Sequence, residues 1–295
     1  MDFYGVSSYT FTSNEIGEAM LTGLYAVHLE LTSFCNKNCW MCGRRKIDKD
    51  FPDIKMNYGN MPLDLVYKIA KQLPDGMVVQ FHNNGEPFMY PHLEDALMAF
   101  KGKIRCLDTN GKLLVKHADK VIHRLESLTI SVIENDPEAD KQYDNVVKFL
   151  ELKGDNKPIM VYRLLGDPSK YYVEDKYCYD YSRTQRWLDL PGVIARRTLH
   201  SPMGSHTYKK TPTIPEIGMC VEILNHMAIN RFGEVSPCVR FDPLRKGVIG
   251  NVNTETLDEI WNGHKRQSWV KLHTQGKRKD IDFCSKCQFW GIPTG

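Results

Sequence analysis

Short stretches of alternating apolar and polar residues recur along most of the chain. The first is LYAVHLELT at 24–32, and alternation of this kind is typical of a β-strand. A segment with helical spacing follows at 61–73, where Leu63, Val66 and Ala70 fall on one face. Strands that alternate with helices predict a parallel sheet.

Further units of the same kind follow. We predict strands at 24–32, 76–82, 104–111, 127–132, 158–166 and 192–199, and helices at 61–73, 92–100, 114–125 and 139–152. These units favour an α/β fold with a partial (β/α)6 TIM-like barrel. In such a barrel, the loops at the carboxyl ends of the strands build the functional site.

The pattern changes from about Ser205. A proline-rich stretch at 207–218 is typical of a linker, and the alternating segment at 220–238 turns at NRFG, which predicts a β-hairpin. A helix is predicted at 255–262, because Thr256 and Glu259 have the spacing of a capping box. We therefore predict two domains, 1–204 and 205–295, the second a small hairpin plus helix.

Composition and charge narrow the class of protein. The 295 residues can bury a sizeable core, and a net charge of +3 is too small to indicate nucleic acid or a membrane as partner. The start of the chain lacks the pattern of a signal peptide, so we expect a cytoplasmic protein. A basic stretch at 263–279 predicts a solvated helix and loop, or a docking surface for an acidic partner.

Seven of the nine cysteines fall in two groups, of three and of four. In the cytosol, such groups indicate metal binding or catalysis before disulfides. Four thiolates complete the shell of a structural zinc ion or an iron–sulfur cluster, whereas three on a four-iron cluster leave one iron open for a ligand. A zinc site with a distant fourth ligand is the alternative for the first group. The groups are Cys35, Cys39 and Cys42, and Cys220, Cys238, Cys284 and Cys287.

Three motifs occupy successive carboxyl ends of the predicted strands. The pattern Cx3Cx2C follows the first strand, NGEP at 84–87 follows the second, and TNG at 109–111 closes the third. This combination resembles the radical S-adenosylmethionine superfamily, whose members cleave that compound at an open iron. The resemblance implies two cofactors, a [4Fe-4S] cluster on the first three cysteines and S-adenosylmethionine.

The same resemblance assigns roles to further residues. It implies that Gly85 and Glu86 hold the amino group of S-adenosylmethionine, and that Asn110 lies near its ribose. A hydroxyl on the fourth strand and a basic residue on the fifth often hold its carboxylate in this superfamily. The residue before the third cysteine commonly contacts adenine, although an aromatic residue is usual there. The positions that correspond are Ser131, Arg163 and Met41.

The order of features in the C-terminal segment resembles the SPASM domain in its short form, the twitch domain. The resemblance implies one auxiliary [4Fe-4S] cluster on the second cysteine group, and a four-cysteine zinc ribbon is the alternative. The whole layout is most similar to that of the 2-deoxy-scyllo-inosamine dehydrogenases. We therefore expect two clusters and an external one-electron donor such as flavodoxin or ferredoxin.

The leading functional hypothesis is radical oxidation of a sugar-like or aminocyclitol-like alcohol, with the auxiliary cluster as electron acceptor. Arg197 is the candidate catalytic residue, because an arginine facing the barrel interior can stabilise a developing alkoxide. His82 and His200 are further candidates. The alternatives are epimerisation, with Cys106 or Cys178 as hydrogen donor, and modification of a peptide. We expect a small-molecule substrate, and neither nucleic acid nor membrane as partner.

Overall fold

The computed structural model describes residues 21–55, 57–166, 181–198 and 219–287. Within these ranges a single nine-stranded sheet forms the centre of the protein. Its strands are β1 (Ala26–Leu29), β2 (Val78–Phe81), β3 (Ile104–Thr109), β4 (Ser127–Ile133), β5 (Ile159–Gly166), β6 (Val193–Thr198), β7 (His226–Ile229), β8 (Glu234–Ser236) and β9 (Gly250–Asn251). Their spatial order is β6-β5-β4-β3-β2-β1-β7-β8-β9, with β6 and β9 at opposite edges, so the sheet is open as predicted.

Helices connect the strands, as expected for parallel pairing. They are α1 (Gly43–Asp50), α2 (Leu63–Ala70), α3 (Leu93–Ala99), α4 (Ala118–Val121), α5 (Ala139–Lys153), α6 (Tyr181–Leu188), α7 (Val221–Asn225), α8 (Leu257–Asn262), α9 (His264–Thr274) and α10 (Asp282–Ser285). Strands β1 to β7 pair in parallel, and β7–β8 and β8–β9 pair antiparallel. None of the helices in the described ranges is long and apolar enough to cross a bilayer.

The two faces of the sheet differ in chemistry because successive side chains point to opposite sides. One face carries the fully buried core residues of the strands, including Val27, Leu29 and Phe81. The strand register aligns polar side chains on the other face. We call this side the polar face, and its members include His28, Gln80, Cys106, Asp108, Ser131, Arg163, Arg197 and His226.

Two local predictions were wrong. Residues 221–225 form α7 rather than the first strand of the hairpin, which starts only at His226. The stretch 114–125 forms a 3₁₀ turn at Val115–His117 and the short helix α4, because the chain turns at His123 with a φ of +66°. The capping box at Thr256 and Glu259 is present at α8. The proposed domain boundary at residue 205 lies outside the described residues.

Candidate active site

The first cysteine group lies in the loop between β1 and α1. Cys42 is the N-cap residue of α1, and its backbone N–H donates to the carbonyl oxygen of Cys39 at 3.1 Å. Burial raises the pKa of the Cys39 thiol to about 12, and the neighbouring Cys42 and Cys35 add to that rise. The three sulfur atoms are therefore close enough to interact electrostatically.

Polar contacts fasten this loop to the carboxyl ends of β3 and β4. Lys37 and Asp136 form an ion pair whose two side chains are almost fully buried. The side-chain amide of Asn110 donates to Oδ1 of Asn36 at 2.8 Å, and Nζ of Lys112 donates to the carbonyl oxygen of Asn36 at 3.2 Å. The sequence singled out Asn110 but none of these pairings, because no local pattern links residues this far apart in the chain.

The NGEP segment packs directly on the chain that leads into the cysteine loop. Gly85 has a φ of +78°, and a Cβ atom there would lie 2.1 Å from the carbonyl oxygen of Thr32. The Glu86 backbone N–H donates to the carbonyl oxygen of Phe34 at 2.8 Å. Asn84 stands where the family usually has glycine, and its amide donates to the buried carboxylate of Glu30 at 2.8 Å.

The Glu86 carboxylate joins the second and third motifs. It accepts hydrogen bonds from Oγ1 of Thr109 at 2.7 Å, from the backbone N–H of Asn110 at 2.8 Å and from the backbone N–H of Phe88 at 3.3 Å. Burial raises its pKa to about 7, against the effect of these donors. Three of the roughly four lone-pair positions of the carboxylate are therefore used within the protein.

Asn110, Ser131 and Met41 are three further residues that the sequence assigns to the cofactor, and the structure shows their surroundings. Nδ2 of Asn110 approaches Sγ of Cys35 at 3.9 Å. The backbone carbonyl of Ser131 accepts from Nε2 of Gln142 at 2.9 Å, and the same amide donates to the backbone carbonyl of Asn110 at 2.8 Å. Gln142, which the sequence did not single out, thus ties the ends of β3 and β4 together. Met41 is half-buried in the cysteine loop, and its contact with adenine stays a prediction.

Arg163 lies on the polar face and forms an ion pair with Asp108. Although burial opposes it, Arg163 and His82 hold the pKa of Asp108 below its ordinary value. In this structure Arg163 therefore has a protein carboxylate as its partner. Its assignment to the carboxylate of S-adenosylmethionine remains a prediction.

Arg197 lies on the polar face and its neighbour Arg196 is exposed, as the alternation of a strand requires. Burial lowers the pKa of Arg197 to about 10, and Arg163 lowers it further while Asp108 and Glu222 oppose the shift. Arg197 still carries its charge at neutral pH. The other candidates are His82, at 3.4 Å from Asp108 through Nδ1, and His200, which lies outside the described residues.

The second cysteine group comes together from three separate segments. Cys220 caps α7, Cys238 follows β8, and Cys284 and Cys287 lie in and just after α10. Burial raises the pKa of Cys284 to about 12, and Cys287 and Cys220 add to that rise. Burial also raises the pKa of Cys238 well above its ordinary value, with Cys287 contributing. Cys284 is thus influenced by Cys220 and Cys287, and Cys238 by Cys287.

The basic stretch at 263–279 packs against the second cysteine group. The prediction that this stretch is a solvated helix and loop was therefore wrong in part. Arg266, His273 and Arg278 are each at least 95 % buried. Nδ1 of His273 accepts from the backbone N–H of Cys220 at 3.3 Å, and Nη1 of Arg278 donates to the carbonyl oxygen of Cys284 at 2.6 Å.

The spacing of the thiols bears on the choice between zinc and iron–sulfur. Four thiolates around one zinc ion at about 2.3 Å would lie about 3.8 Å from one another. Among the described residues, the group of three potential ligands found within 4.8 Å is His28, Glu222 and His226, and it contains no cysteine. In an iron–sulfur cluster, each thiolate binds a different iron. The three thiols of the first group and the four of the second match the ligand sets that such clusters take.

Comparison with known proteins agrees with this geometry. Residues 220–288 match the SPASM family, described as an iron–sulfur cluster-binding domain. The S-adenosyl-L-methionine-dependent 2-deoxy-scyllo-inosamine dehydrogenase of Niallia circulans is 23 % identical, over 91 % of this chain and 94 % of its own length. Together these matches support a radical S-adenosylmethionine protein whose C-terminal segment is similar to a SPASM domain. The resemblance inferred from the three motifs is therefore confirmed.

Further proteins are similar to this chain in sequence or in fold. The tungsten-containing aldehyde ferredoxin oxidoreductase cofactor-modifying protein of Pyrococcus furiosus is 24 % identical, over 84 % of this chain and 83 % of its own. The crystal structure of BtrN in complex with AdoMet and 2-DOIA superposes with a TM-score of 0.60 at 19 % identity, over 92 % of this chain and 95 % of BtrN. Streptococcus suis SuiB bound to S-adenosylmethionine gives 0.56 at 14 % identity, over 90 % of this chain and 72 % of SuiB. These matches support [4Fe-4S] clusters and S-adenosylmethionine as cofactors of an oxidoreductase.

Proposed function

We propose that this protein oxidises an alcohol carbon of a small, sugar-like or aminocyclitol-like substrate. The polar face of the sheet carries the proposal, since it offers His28, Gln80, Asp108, Arg163 and Arg197 as closely grouped hydrogen-bonding side chains. A polyol needs several convergent donors and acceptors of this kind. The relatives that act on such compounds are also matched over nearly their whole length.

The cofactors supply the radical and electron-transfer chemistry, and the protein chain orients the substrate. When bound, the cluster of Cys35, Cys39 and Cys42 with S-adenosylmethionine would supply a 5′-deoxyadenosyl radical that takes a hydrogen atom, and the auxiliary cluster would supply a one-electron acceptor. The carbinol loses one hydrogen atom, one proton and one electron to become a ketone. The side chains of the polar face, together with His82 beside Asp108, must therefore hold the hydroxyl and remove its proton.

Arg197 and His82 divide these two tasks in our proposal. Arg197 stays protonated at neutral pH and stabilises negative charge on the substrate oxygen, but it is a poor base. Burial lowers the pKa of His82, so its imidazole is neutral at pH 7 and able to accept a proton. Asp108 lies 3.4 Å from its Nδ1, an arrangement that orients a histidine acting as base.

Epimerisation through Cys106 is disfavoured only by its distance from the carboxyl ends of the strands. Cys106 lies on the polar face, where it pairs in register with Gln80 on one side and with Ser127, the first residue of β4, on the other. The cysteine loop and the NGEP and TNG segments follow the carboxyl ends, and three residues of β3 separate Cys106 from that end, about 10 Å. The other candidate, Cys178, lies outside the described residues.

Peptide modification is the second candidate because the fold also resembles SuiB, which was crystallised bound to the precursor peptide SuiA. That match covers 84 % of this chain but only 67 % of SuiB. The match to BtrN reaches 95 % of its chain, which favours the small-molecule reading.

The deciding experiment is anaerobic reconstitution with a panel of aminocyclitols and sugars in deuterated water. We expect 5′-deoxyadenosine, and a product that is lighter by two hydrogens. A product of unchanged hydrogen count that carries deuterium would indicate epimerisation instead, and Cys106→Ala would then test the donor. A Cys35→Ala/Cys39→Ala/Cys42→Ala variant is the matched control and should form no 5′-deoxyadenosine. If the wild-type protein also forms none with any substrate or in its absence, the proposal fails.

A further inference from the structure

Three metal-ligating side chains converge on the polar face, apart from both cysteine groups. His28 lies on β1, Glu222 on α7 and His226 at the start of β7, and one ligand atom of each lies within 4.8 Å of the others. The ring centroids of the two histidines are 5.4 Å apart. The trio forms because β1 and β7 pair in the sheet, although they are almost two hundred residues apart in the chain.

The strand register explains how the trio forms. His226 pairs with Ala26 on β1, so His28 lies two residues further along on the same face. Glu222 precedes His226 by four residues, at the point where α7 passes into β7. His28 and Glu222 are 6 % and 4 % exposed, which holds both side chains in the protein interior.

Hydrogen bonding within the protein does not account for these histidines. Nδ1 of His28 and Nδ1 of His226 are both buried without a hydrogen-bond partner, and leaving a buried polar atom unsatisfied is costly. Nδ1 of His226 lies 3.8 Å from Oε2 of Glu222, which is too long for a hydrogen bond. Two ligands at about 2.1 Å from a tetrahedral metal ion lie about 3.4 Å apart, so a small movement would complete such a site.

The charge state of the trio also suits a metal ion. Burial lowers the pKa of His28 well below its ordinary value, with His82, His226, Arg163 and Arg197 adding to the shift, so its imidazole is neutral. Neutral imidazole is the form that binds metals. Arg163 and Arg197 oppose a further cation at the trio, whereas the carboxylate of Glu222, as one of its three members, favours one. This balance selects an ion with high affinity for imidazole over Mg²⁺ or Ca²⁺.

We propose that His28, Glu222 and His226 bind one divalent transition-metal ion of the zinc or ferrous type, separate from the iron–sulfur clusters. A set of two histidines and one carboxylate leaves coordination positions open for an oxygen ligand, such as a substrate hydroxyl. The site stands on its own geometry, so its failure would leave the proposed oxidation intact.

The test uses the anaerobically reconstituted protein, in which the cysteines are occupied. After dialysis against a chelator and then Zn²⁺, we expect one zinc ion per chain in addition to the full complement of iron, measured by elemental analysis. His226→Ala and Glu222→Gln should lose that zinc and keep the iron. His82→Ala is the matched control, because His82 neighbours His28 at 5.8 Å between ring centroids but is not part of the trio, and it should keep the zinc.

Two further measurements make the result of this test unambiguous. If Glu222→Gln loses iron because of its closeness to Cys220, His226→Ala alone decides. Co²⁺ in place of Zn²⁺ should give weak visible bands without a sulfur-to-cobalt charge-transfer band. Absence of the extra zinc in the wild-type protein, its retention in His226→Ala, or a sulfur charge-transfer band would each overturn the proposal.

Discussion

The ring of Phe241 packs against Gly43, so that the chain segments next to the two cysteine groups touch. A Cβ atom at Gly43 would lie 2.8 Å from Cδ1 of Phe241. Gly43 directly follows Cys42, and Phe241 comes three residues after Cys238. The segments that carry the two groups are therefore in direct contact, at a position with no room for a larger side chain.

Gly43→Ala should destabilise this contact, since overpacking typically costs about 1–3 kcal/mol. Phe241→Leu should recover part of the loss in the double variant, because the smaller side chain vacates the space that the new methyl group needs. The measurement is a double-mutant cycle by chemical denaturation of the cluster-loaded protein. Strictly additive effects of the two substitutions would contradict the contact.

Gly85→Ala should prevent correct closure of the first cysteine loop. The new Cβ atom would overlap the carbonyl oxygen of Thr32, and we expect loss of roughly half of the iron, the share of one of two four-iron clusters. Gly76→Ala is the matched control, because Gly76 has a similar φ of +80° and no atom within 4 Å of a new Cβ. Iron content and the electron paramagnetic resonance spectrum of the reduced protein give the result. Equal loss in both variants would mean that backbone strain, not overlap, is responsible.

The buried ion pair of Lys37 and Asp136 should be sensitive to the loss of either partner. Lys37→Met leaves an uncompensated buried carboxylate, which typically costs about 3–5 kcal/mol of unfolding free energy. The partly exposed pair of Arg124 and Glu94 is the control, and Glu94→Gln should cost about 1 kcal/mol or less. In the double variant Lys37→Met/Asp136→Leu we expect most of the stability to return. Similar small losses at both pairs would show that the loop is not held by Lys37.

Glu86 should give the protein a pH-dependent stability. Its pKa is raised by burial from 4.5 to about 7, so the folded protein binds a proton in this range that the unfolded chain has released. The contribution of Glu86 to the unfolding free energy therefore falls as the pH rises from about 4.5 to about 7, and is constant above that. Glu86→Gln should remove this part of the slope.

Chemical denaturation of metal-free protein at several pH values compares the wild type with Glu86→Gln. The difference between the two curves isolates Glu86 from the histidines, whose lowered pKa values act in the opposite direction. Glu151→Gln, a substitution of an exposed glutamate on α5, should follow the wild-type curve. Parallel curves for Glu86→Gln and wild type would rule out the shifted pKa.

The sequence predicted the parts of the fold that depend on local pattern. Strand alternation located six parallel strands, and the three motifs placed Cys35, Gly85 and Asn110 at one end of the sheet. The structure brings these segments together through hydrogen bonds such as the one from Asn110 to the cysteine loop. The motifs predicted that these segments come together, because the carboxyl ends of parallel strands lie along the same edge of a sheet.

The sequence could not predict contacts that depend on register between distant strands. Lys37 and Asp136 are ordinary charged residues until β4 places them together, and Gln142 is one polar residue among many on α5. The prediction of a strand at 221–225 was wrong because the residues VEIL fit both the helical and the strand period over so short a length. His28 and His226 meet only because β7 adds to the sheet beside β1.

The pairing of β1 with β7 has a consequence for how this protein can be shortened or recombined. The backbone N–H groups of Tyr25 and Glu30 donate to the carbonyl oxygens of Asn225 and Ile229, each at 2.9 Å. A chain ending before residue 219 would turn the strand that leads to Cys35 into an open edge, which invites pairing with other molecules. The C-terminal segment therefore covers an edge of the first strand, and exchanging it between relatives requires a matching partner for that strand.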